Sequence, residues 1–243
     1  MKTSAFLFLL LLCTAVMAQE TRKLPHFNSI VVSPHINLVL THDETESVQL
    51  IHSGISENKI NVEVTGEVLR IFLDDARITS PRNRYNENGY RWKESIYKNV
   101  SVTAYVSYRS IKRLEVRGEQ NVTIDSIPSY SKVKIKAYGE TRIDIASVDT
   151  EKLKVSLYGE NSLKIRGGRT QHQVYRLFGE NKIDAIALDS RTASTRIYGE
   201  GRIRLTASDE LILNSFGEPE IVVAGNPLIH RGIVFGHTDI RRQ

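Results

Sequence analysis

A glutamate recurs at a nearly constant interval through the second half of the chain, each time after a glycine. The column comprises Glu119, Glu140, Glu160, Glu180, Glu200 and Glu218. Stacked carboxylates can hold Ca²⁺, which takes about six to eight oxygen ligands. They can also pair with the bases two positions on, Arg142, Lys182 and Arg202, or accept hydrogen bonds from the backbone of their own turns. We favour the surface ion-pair lattice, since each repeat offers one carboxylate with a base nearby.

An aromatic residue stands directly before most of these glycines. The aromatic column comprises Tyr138, Tyr158, Phe178, Tyr198, Phe216 and Phe235. Two interpretations are open, a structural ladder of stacked rings or a platform for the faces of sugar rings. We favour the ladder, because Phe replaces Tyr freely and the hydroxyl groups are therefore dispensable.

Patterns typical of catalysis are weak. Asp144 and Asp184 alternate with Lys164 and Arg204 at equivalent places of successive repeats, which indicates charge pairing rather than an acid–base pair. The seven histidines lack metal-ligand spacing. There is no Gly-x-Ser-x-Gly motif and no phosphate-binding loop. We therefore predict a protein that is not an enzyme and has no catalytic, metal or cofactor site.

The glycines that precede these glutamates define a repeat. From Gly118 to Gly236 successive glycines lie 21, 20, 20, 20, 18 and 19 residues apart. Apolar residues alternate with polar ones on both sides of each glycine, which is typical of strands. One such unit cannot bury its own apolar face, whereas stacked copies can. The spacing predicts an all-β fold, a parallel β-solenoid whose regular repeats occupy residues 111–243.

Residues 24–73 also alternate, in about five shorter segments with turn residues between them. Thr65-Gly66 predicts a tight reversal between the last two strands. We expect residues 19–110 to form an N-terminal β cap and the first coils, covering the open edge of the stack.

The alternation stops in an inserted loop at residues 75–99. Tyr85, Tyr90 and Trp92 are interspersed there with arginines, and Asn88-Gly89 is a strong hairpin signal. Exposed aromatic and Arg residues are common at binding interfaces. The alternative, which we favour, is a surface hairpin whose rings pack on the solenoid wall. Tyr85, Tyr90 and Trp92 are nonetheless candidate contacts for a ligand or partner, together with Glu140, Glu160, Glu180 and Glu200.

The first 18 residues have the form of a secretory signal peptide. Lys2 precedes an apolar run from Ala5 to Leu12, which is followed by Val16-Met17-Ala18, and cleavage is expected after Ala18. Cys13, the one cysteine, lies inside this segment. No further stretch is long enough to span a membrane. The net charge of +5 is spread over scattered basic residues, with no run that indicates nucleic-acid binding.

With its export signal, its β-rich N-terminal half beginning near Phe27-Asn28-Ser29-Ile30 and its Gly-Glu-Asn repeats at 159–161 and 179–181, the chain resembles the putative auto-transporter adhesin family. The repeats of that family are called the head Gly-Ile-Asn domain, and it is common in Bacteroidetes. The resemblance covers nearly the whole mature chain. It implies a right-handed parallel β-solenoid exported to the periplasm, to the outer surface or into the medium.

The function expected on this basis is that of a non-catalytic binding or scaffold module, with a protein or a glycan as ligand. The alternative is a β-helix protein that binds or degrades polysaccharides. The last coil also predicts a partner, because an uncovered strand edge pairs readily with another chain. We expect a small homo-oligomer, unless Arg231, Arg241 and Arg242 protect that edge as charged gatekeepers.

Overall fold

The computed structural model describes residues 21–79, 82–87, 90–97 and 99–243. The fold is nearly all-β, with one short 3-10 helix at Glu57–Lys59. The predicted signal peptide, with Cys13, lies outside the described residues. The strands are β1 (Thr21–Lys23), β2 (Ser29–Val32), β3 (Ile36–His42), β4 (Ser47–Ser53), β5 (Ile60–Thr65), β6 (Val68–Leu73), β7 (Arg82–Glu87), β8 (Tyr90–Ser95), β9 (Ser101–Tyr108), β10 (Arg113–Gly118), β11 (Asn121–Gly139), β12 (Arg142–Gly159), β13 (Ser162–Ile165), β14 (Gly168–Phe178), β15 (Asn181–Ala185), β16 (Asp189–Tyr198), β17 (Gly201–Thr206), β18 (Glu210–Phe216), β19 (Pro219–Ala224), β20 (Leu228–Phe235) and β21 (Asp239–Arg242).

The repeats form a parallel β-solenoid of about 6 turns, as predicted. Each coil has a strand before its corner glycine and a strand after it, and both pair in register with the next coil. Before the corner, for example, residues 152–158 pair with residues 172–178, which in turn pair with residues 192–198. The handedness of the coil stays a prediction.

The core lies between the strand layers and follows the period-two pattern. In the strand before Gly159, Leu153, Val155 and Leu157 point inward and are fully buried, while the alternate residues Lys152 and Lys154 point outward. Because side chains alternate across a strand, every coil contributes its apolar residues to one continuous core.

Glycine is required at the corners for two reasons. The corner glycines have φ between 92° and 138°, a region that L-residues avoid. A Cβ atom on Gly179 would also lie 2.6 Å from the carbonyl oxygen of Gly159 in the preceding coil. The sequence predicted the positive φ, but the close approach of one corner to the next depends on the stacking.

The N-terminal strands do not stack in chain order. Strands β2 and β3 form a coil that lies inside the stack. On one side β2 pairs with β10 and β3 with β11, and on the other side β2 pairs with β6 and β3 with β9. Strand β5 then pairs antiparallel with β6, and β4 pairs antiparallel with β9. This irregular part covers the N-terminal edge of the solenoid, and the predicted reversal at Thr65-Gly66 is confirmed, since Thr65 lies opposite Val68.

At the other end, β20 pairs with β18 and β21 pairs with β19. Within the described chain, no strand pairs with the outer edges of β20 and β21. Leu228, Ile233 and Phe235 are all more than half exposed there. Self-association through this edge stays a prediction.

The corner geometry makes a paired prediction. Gly179→Ala should destabilise the fold by about 1–3 kcal/mol or more, because it adds a Cβ at positive φ against a backbone carbonyl. Gly167→Ala is the matched control, since Gly167 lacks a positive φ and its Cβ would meet only the Ala146 carbonyl oxygen at 3.8 Å. Thermal melting monitored by circular dichroism measures both. Equal melting temperatures for the two variants would contradict the corner requirement.

Candidate functional site

The aromatic column is a continuous stack of rings. From Tyr138 to Phe216 the centroids of neighbouring rings are 4.8 Å apart, with interplanar angles of 5–7°. Phe235 extends the stack at 5.5 Å and 26°. The structural ladder is therefore the correct interpretation. The sugar platform is wrong for the rings inside the stack, because their faces are covered by neighbouring rings.

A second ladder, of buried amides, lies beside the corners and was missed in the sequence. The residue after each of the first four Gly-Glu pairs is polar and buried, and Asn161 and Asn181 are 2% and 0% exposed. Asn161 Oδ1 accepts a hydrogen bond from the Thr141 backbone N–H at 3.1 Å. The Asn161 side chain and backbone N–H groups both donate to Asn181 Oδ1, at 3.1 and 3.2 Å. The one available signal was the recurrence of Gln, Thr or Asn two places after the first four corner glycines.

The glutamate column has few partners. Glu140, Glu160, Glu180 and Glu200 lie one above another in successive coils and are exposed. Among the described residues, Glu180 is the member of the column with an ion pair, to Lys182 at 4.0 Å. Arg202 pairs instead with Glu220 of the following coil at 2.6 Å. The predicted ion-pair lattice along the column is therefore wrong.

The two other interpretations of the column also lack support in the geometry. Within the described chain no group of three or more His, Cys, Asp or Glu side chains is placed to hold a metal ion. The backbone N–H of Glu160 donates to Gly139 of the preceding coil at 2.9 Å. Hydrogen bonds between coils thus fix the corner, and the carboxylates face solvent.

The predicted pairing of the alternating acids and bases after the corner is confirmed only for Asp184 and Arg204. Asp144, Lys164, Asp184 and Arg204 occupy one register position in four successive coils. Asp184 pairs with Arg204 at 3.2 Å, and Asp144 pairs with Arg166 at 2.5 Å. Hydrogen bonding to Arg166 holds the pKa of Asp144 below its usual value despite partial burial. These residues are a charge network on a solvated face.

A concave site lies at the N-terminal end of the aromatic ladder. It is a cleft of about 940 Å³ between the first two corners and the base of the inserted hairpin. Tyr138, the first ring of the ladder, lines it, and within the aromatic column this ring is covered on one face only, by Tyr158. The other lining residues come from four distant parts of the sequence: Pro34, His35, Ile78, Thr79, Arg82, Ser95, Glu115, Arg117, Gly118, Glu119 and Gly139.

A buried charge cluster stiffens one wall of the cleft. Glu115 is 3% exposed and binds both neighbouring arginines, Arg113 and Arg117, with Arg117 Nε at 3.0 Å. Burial would raise the pKa of Glu115, but the hydrogen bonds and charges of the two arginines outweigh it and hold the pKa below its usual value. Separating Glu115 from both arginines would leave its buried carboxylate without a counter-charge, so the two ion pairs hold this part of the wall in place.

His35 also lines the cleft, in the turn between β2 and β3. Its φ is 70°, which is uncommon for a residue other than glycine. Its ring contacts Tyr97 at 5.8 Å, and its Nε2 is 3.3 Å from Ser95 Oγ. Burial lowers the pKa of His35, against the opposing charge of Glu119. A neutral imidazole in this position can both donate and accept a hydrogen bond.

The inserted loop forms a hairpin at the rim of the cleft. Strands β7 and β8 pair antiparallel as a separate two-stranded sheet, with the backbones of Tyr85 and Trp92 opposite each other. Tyr90 lies opposite Glu87. The side chains of Tyr85, Tyr90 and Trp92 lie outside the described part of the structure, so both interpretations of the hairpin stay predictions. The candidate glutamates fall elsewhere, mostly in a smaller polar groove of about 500 Å³ that runs from Glu119 to Glu180.

Comparison with known proteins agrees with this architecture. The family described as "Putative auto-transporter adhesin, head GIN domain" matches residues 26–227. The chain belongs to this adhesin family. No curated protein matches the chain significantly.

Three solved structures share the fold of this adhesin-family chain. A putative adhesin from Bacteroides fragilis NCTC 9343 is 19% identical, with a TM-score of 0.73, and the match covers 92% of this chain and 95% of that one. A putative adhesin from Parabacteroides distasonis ATCC 8503 is 14% identical, with a TM-score of 0.67 and the same coverage. A protein named putative lipid binding protein, from the same strain, is 16% identical over 92% of this chain and 96% of its own, with a TM-score of 0.62.

Replacing one buried amide of the ladder should lower the stability of the fold. Asn161→Ala removes the acceptor of the buried Thr141 N–H, which should cost about 1–3 kcal/mol. Asn121→Ala is the control, because Asn121 is exposed. Chemical denaturation of the two variants measures the difference. A loss of stability no larger for Asn161→Ala than for the control would show that the ladder contributes little.

Calcium should not stabilise the adhesin-family solenoid. A ligand raises the melting temperature only if it prefers the folded state, and the exposed glutamates form no cation site within the described residues. Millimolar Ca²⁺ should therefore leave the melting temperature unchanged in differential scanning calorimetry. A rise of several degrees that disappears in the Glu160→Gln, Glu180→Gln double variant would overturn this expectation.

Proposed function

We propose that this chain is an exported, non-catalytic binding module of the adhesin type, and that the cleft beside Tyr138 holds a neutral sugar of a glycan ligand. The observation that carries the proposal is the junction of the aromatic ladder with this cleft. A ring at the end of a stack offers a flat apolar surface that suits the face of a sugar ring.

The charges in the cleft favour a neutral polar ligand. Arg82 and Arg117 are balanced by Glu115 and Glu119, and Glu115 already binds two arginines. Ser95, Thr79 and the neutral imidazole of His35 add hydrogen-bonding groups that serve as donors or acceptors. A few convergent polar groups around an apolar surface are typical of small-ligand sites.

The hairpin supplies the remaining wall in this proposal. Its strands form no ladder with the solenoid, and Arg82 and Ser95 at its base already line the cleft. Tyr85, Tyr90 and Trp92 are then contacts for the glycan. Rigid aromatic side chains are common in recognition sites because they give a large contact area at low entropic cost.

Export follows from the signal-like residues 1–18 and suits a family named for adhesion. Cleavage after Ala18 releases the mature chain into the periplasm, onto the outer surface or into the medium. Among the described residues, no helix is long and apolar enough to cross a bilayer.

Shortening the hairpin tests the proposal. Asn83 lies opposite Glu94, so replacing residues 84–93 with Asn-Gly closes the strands with a two-residue turn. We expect an unchanged melting temperature and binding to neutral glycans at least about tenfold weaker, a loss of about 1.4 kcal/mol. A glycan array followed by calorimetric titration measures it.

A second variant changes another lining residue of the cleft. His35→Gly removes the imidazole while allowing the positive φ, so it should weaken glycan binding. Because the ring also contacts Tyr97 and Ser95, its melting temperature is measured alongside, and binding is compared below the onset of unfolding. Failure of the wild-type chain to bind any neutral glycan would overturn the proposed ligand. Depolymerisation of a glycan during the incubation would instead favour the polysaccharide-degrading alternative.

A further inference from the structure

The stacking of successive coils brings together basic residues that are far apart in the sequence. Along the outer face of the strands before the corner, four successive coils align in three columns: Lys132–Lys152–His172–Thr192, Lys134–Lys154–Val174–Ser194 and Lys136–Ser156–Arg176–Arg196. None of these positions is acidic. We call this surface the basic face. It measures about 14 Å along the stack and about 13 Å along the strands, from the spacings of a β-sheet.

The cations of the basic face lack the partners that other cations of this protein have. Within the described chain no ion pair joins an acid to any of its seven lysines and arginines: Lys132, Lys134, Lys136, Lys152, Lys154, Arg176 and Arg196. Arginines elsewhere on the solenoid do pair, for example Arg169 with Asp149 at 3.1 Å and Arg191 with Asp209 at 2.8 Å. Single cations elsewhere, such as Arg142 and Lys164, also have no ion pair among the described residues. The basic face differs from them because seven such cations lie together in three columns that contain no acid.

Acids occur only at the rims of the basic face. Glu115 is adjacent to Lys136 in register, but it is buried and already binds Arg113 and Arg117. Glu210 is adjacent to Thr192 in register and lies 3.3 Å from His230. Glu151 is exposed at the return of its coil. None of the three lies within the columns.

The cations are close enough to act on one another. Partial burial lowers the pKa of Lys154, and the positive charges of Arg176, Lys132, Lys134 and Lys136 lower it further. A surface that gathers one sign of charge attracts polymers of the opposite sign.

We propose that the basic face binds an extended acidic polysaccharide, one that carries carboxylate or sulfate groups along its length. This goes beyond the neutral-sugar cleft, because it uses a different surface and a different ligand charge. A linear polyanion can meet cations on several coils at once, since these recur about every 4.8 Å along the stack.

The composition of the face favours a glycan over the other polyanions. Single-stranded nucleic acid is held by aromatic rings that stack on bases, and the three columns contain no Phe, Tyr or Trp. Their one ring is the imidazole of His172, whose Nδ1 lies 2.8 Å from Thr192 Oγ1. Anionic membranes are bound by surfaces that also insert apolar side chains, whereas Val174 is the one aliphatic residue among the twelve positions. Charge alone, arranged on a regular sheet, suits a soluble acidic polymer.

The test compares probes of known chemistry on the mature chain. Polygalacturonate and heparin supply carboxylate and sulfate, dextran is the neutral control, and a DNA duplex and phosphatidylglycerol vesicles represent the other polyanions. We expect micromolar or tighter binding of at least one acidic glycan, with affinity falling at least about tenfold between about 50 and 200 mM salt. Dextran should not compete for this surface.

Two charge-matched variants locate the binding. The triple variant Lys134→Gln, Lys154→Gln, Arg176→Gln should bind the acidic glycan at least about tenfold more weakly. The control Lys23→Gln, Lys59→Gln, Lys164→Gln removes the same charge from exposed residues elsewhere and should change affinity less than about twofold. Circular dichroism checks that each variant folds. The single charge reversal Lys154→Glu is a second test, because it changes one side chain of the basic face instead of three.

Each other outcome overturns the proposal. Equal losses in both triple variants would assign binding to net charge rather than to the basic face. Tighter binding of DNA or vesicles than of either acidic glycan would assign the face to that class instead. No binding of any acidic glycan at low salt would leave the face without the proposed ligand. The variant with the shortened hairpin should retain acidic-glycan binding. This result is therefore independent of whether the cleft binds a neutral sugar.

Discussion

Parallel strands stacked in register place equivalent residues of successive coils about 4.8 Å apart, so each position must tolerate a copy of itself above and below. Flat rings meet this requirement, and the aromatic ladder has that spacing. Amides also meet it, because an amide both donates and accepts hydrogen bonds, as Asn161 and Asn181 do. Glycine is needed where one backbone approaches the next, as at Gly159 and Gly179.

Charged residues meet the requirement poorly, and the structure handles them differently on each surface. After the corner, acids and bases alternate from coil to coil, and Asp184 pairs with Arg204. At the corner the glutamates repeat and stay exposed to water, where the high dielectric constant weakens their repulsion. On the basic face the cations repeat without acids between them. Local repulsion of this kind is offset when a polymer of opposite charge binds.

The sequence predicted the coils and corners because both depend on local pattern. Alternation at period two identified the strands, and the glycine interval identified the repeat. The amide ladder was missed because a polar residue after Gly-Glu resembles a surface turn, and only the in-register stacking turns it inward. The cleft and the basic face were unpredictable for a related reason. They join residues such as His35 and Tyr138, or Lys134 and Lys154, whose proximity depends on which coils are neighbours.

The order of the first coils has a consequence for synthesis. Strands β2 and β3 are synthesised early, yet the strands that pair with them come later in the chain. These are β6 and β9 on one side and β10 and β11 on the other. A nascent chain therefore cannot complete its first coil until residues beyond 120 have emerged. Pairings between such distant segments slow folding, whereas each later coil can add directly to the one before it. We therefore expect closure of the N-terminal end to be the slow step of folding, after which the later coils add one by one to the stack.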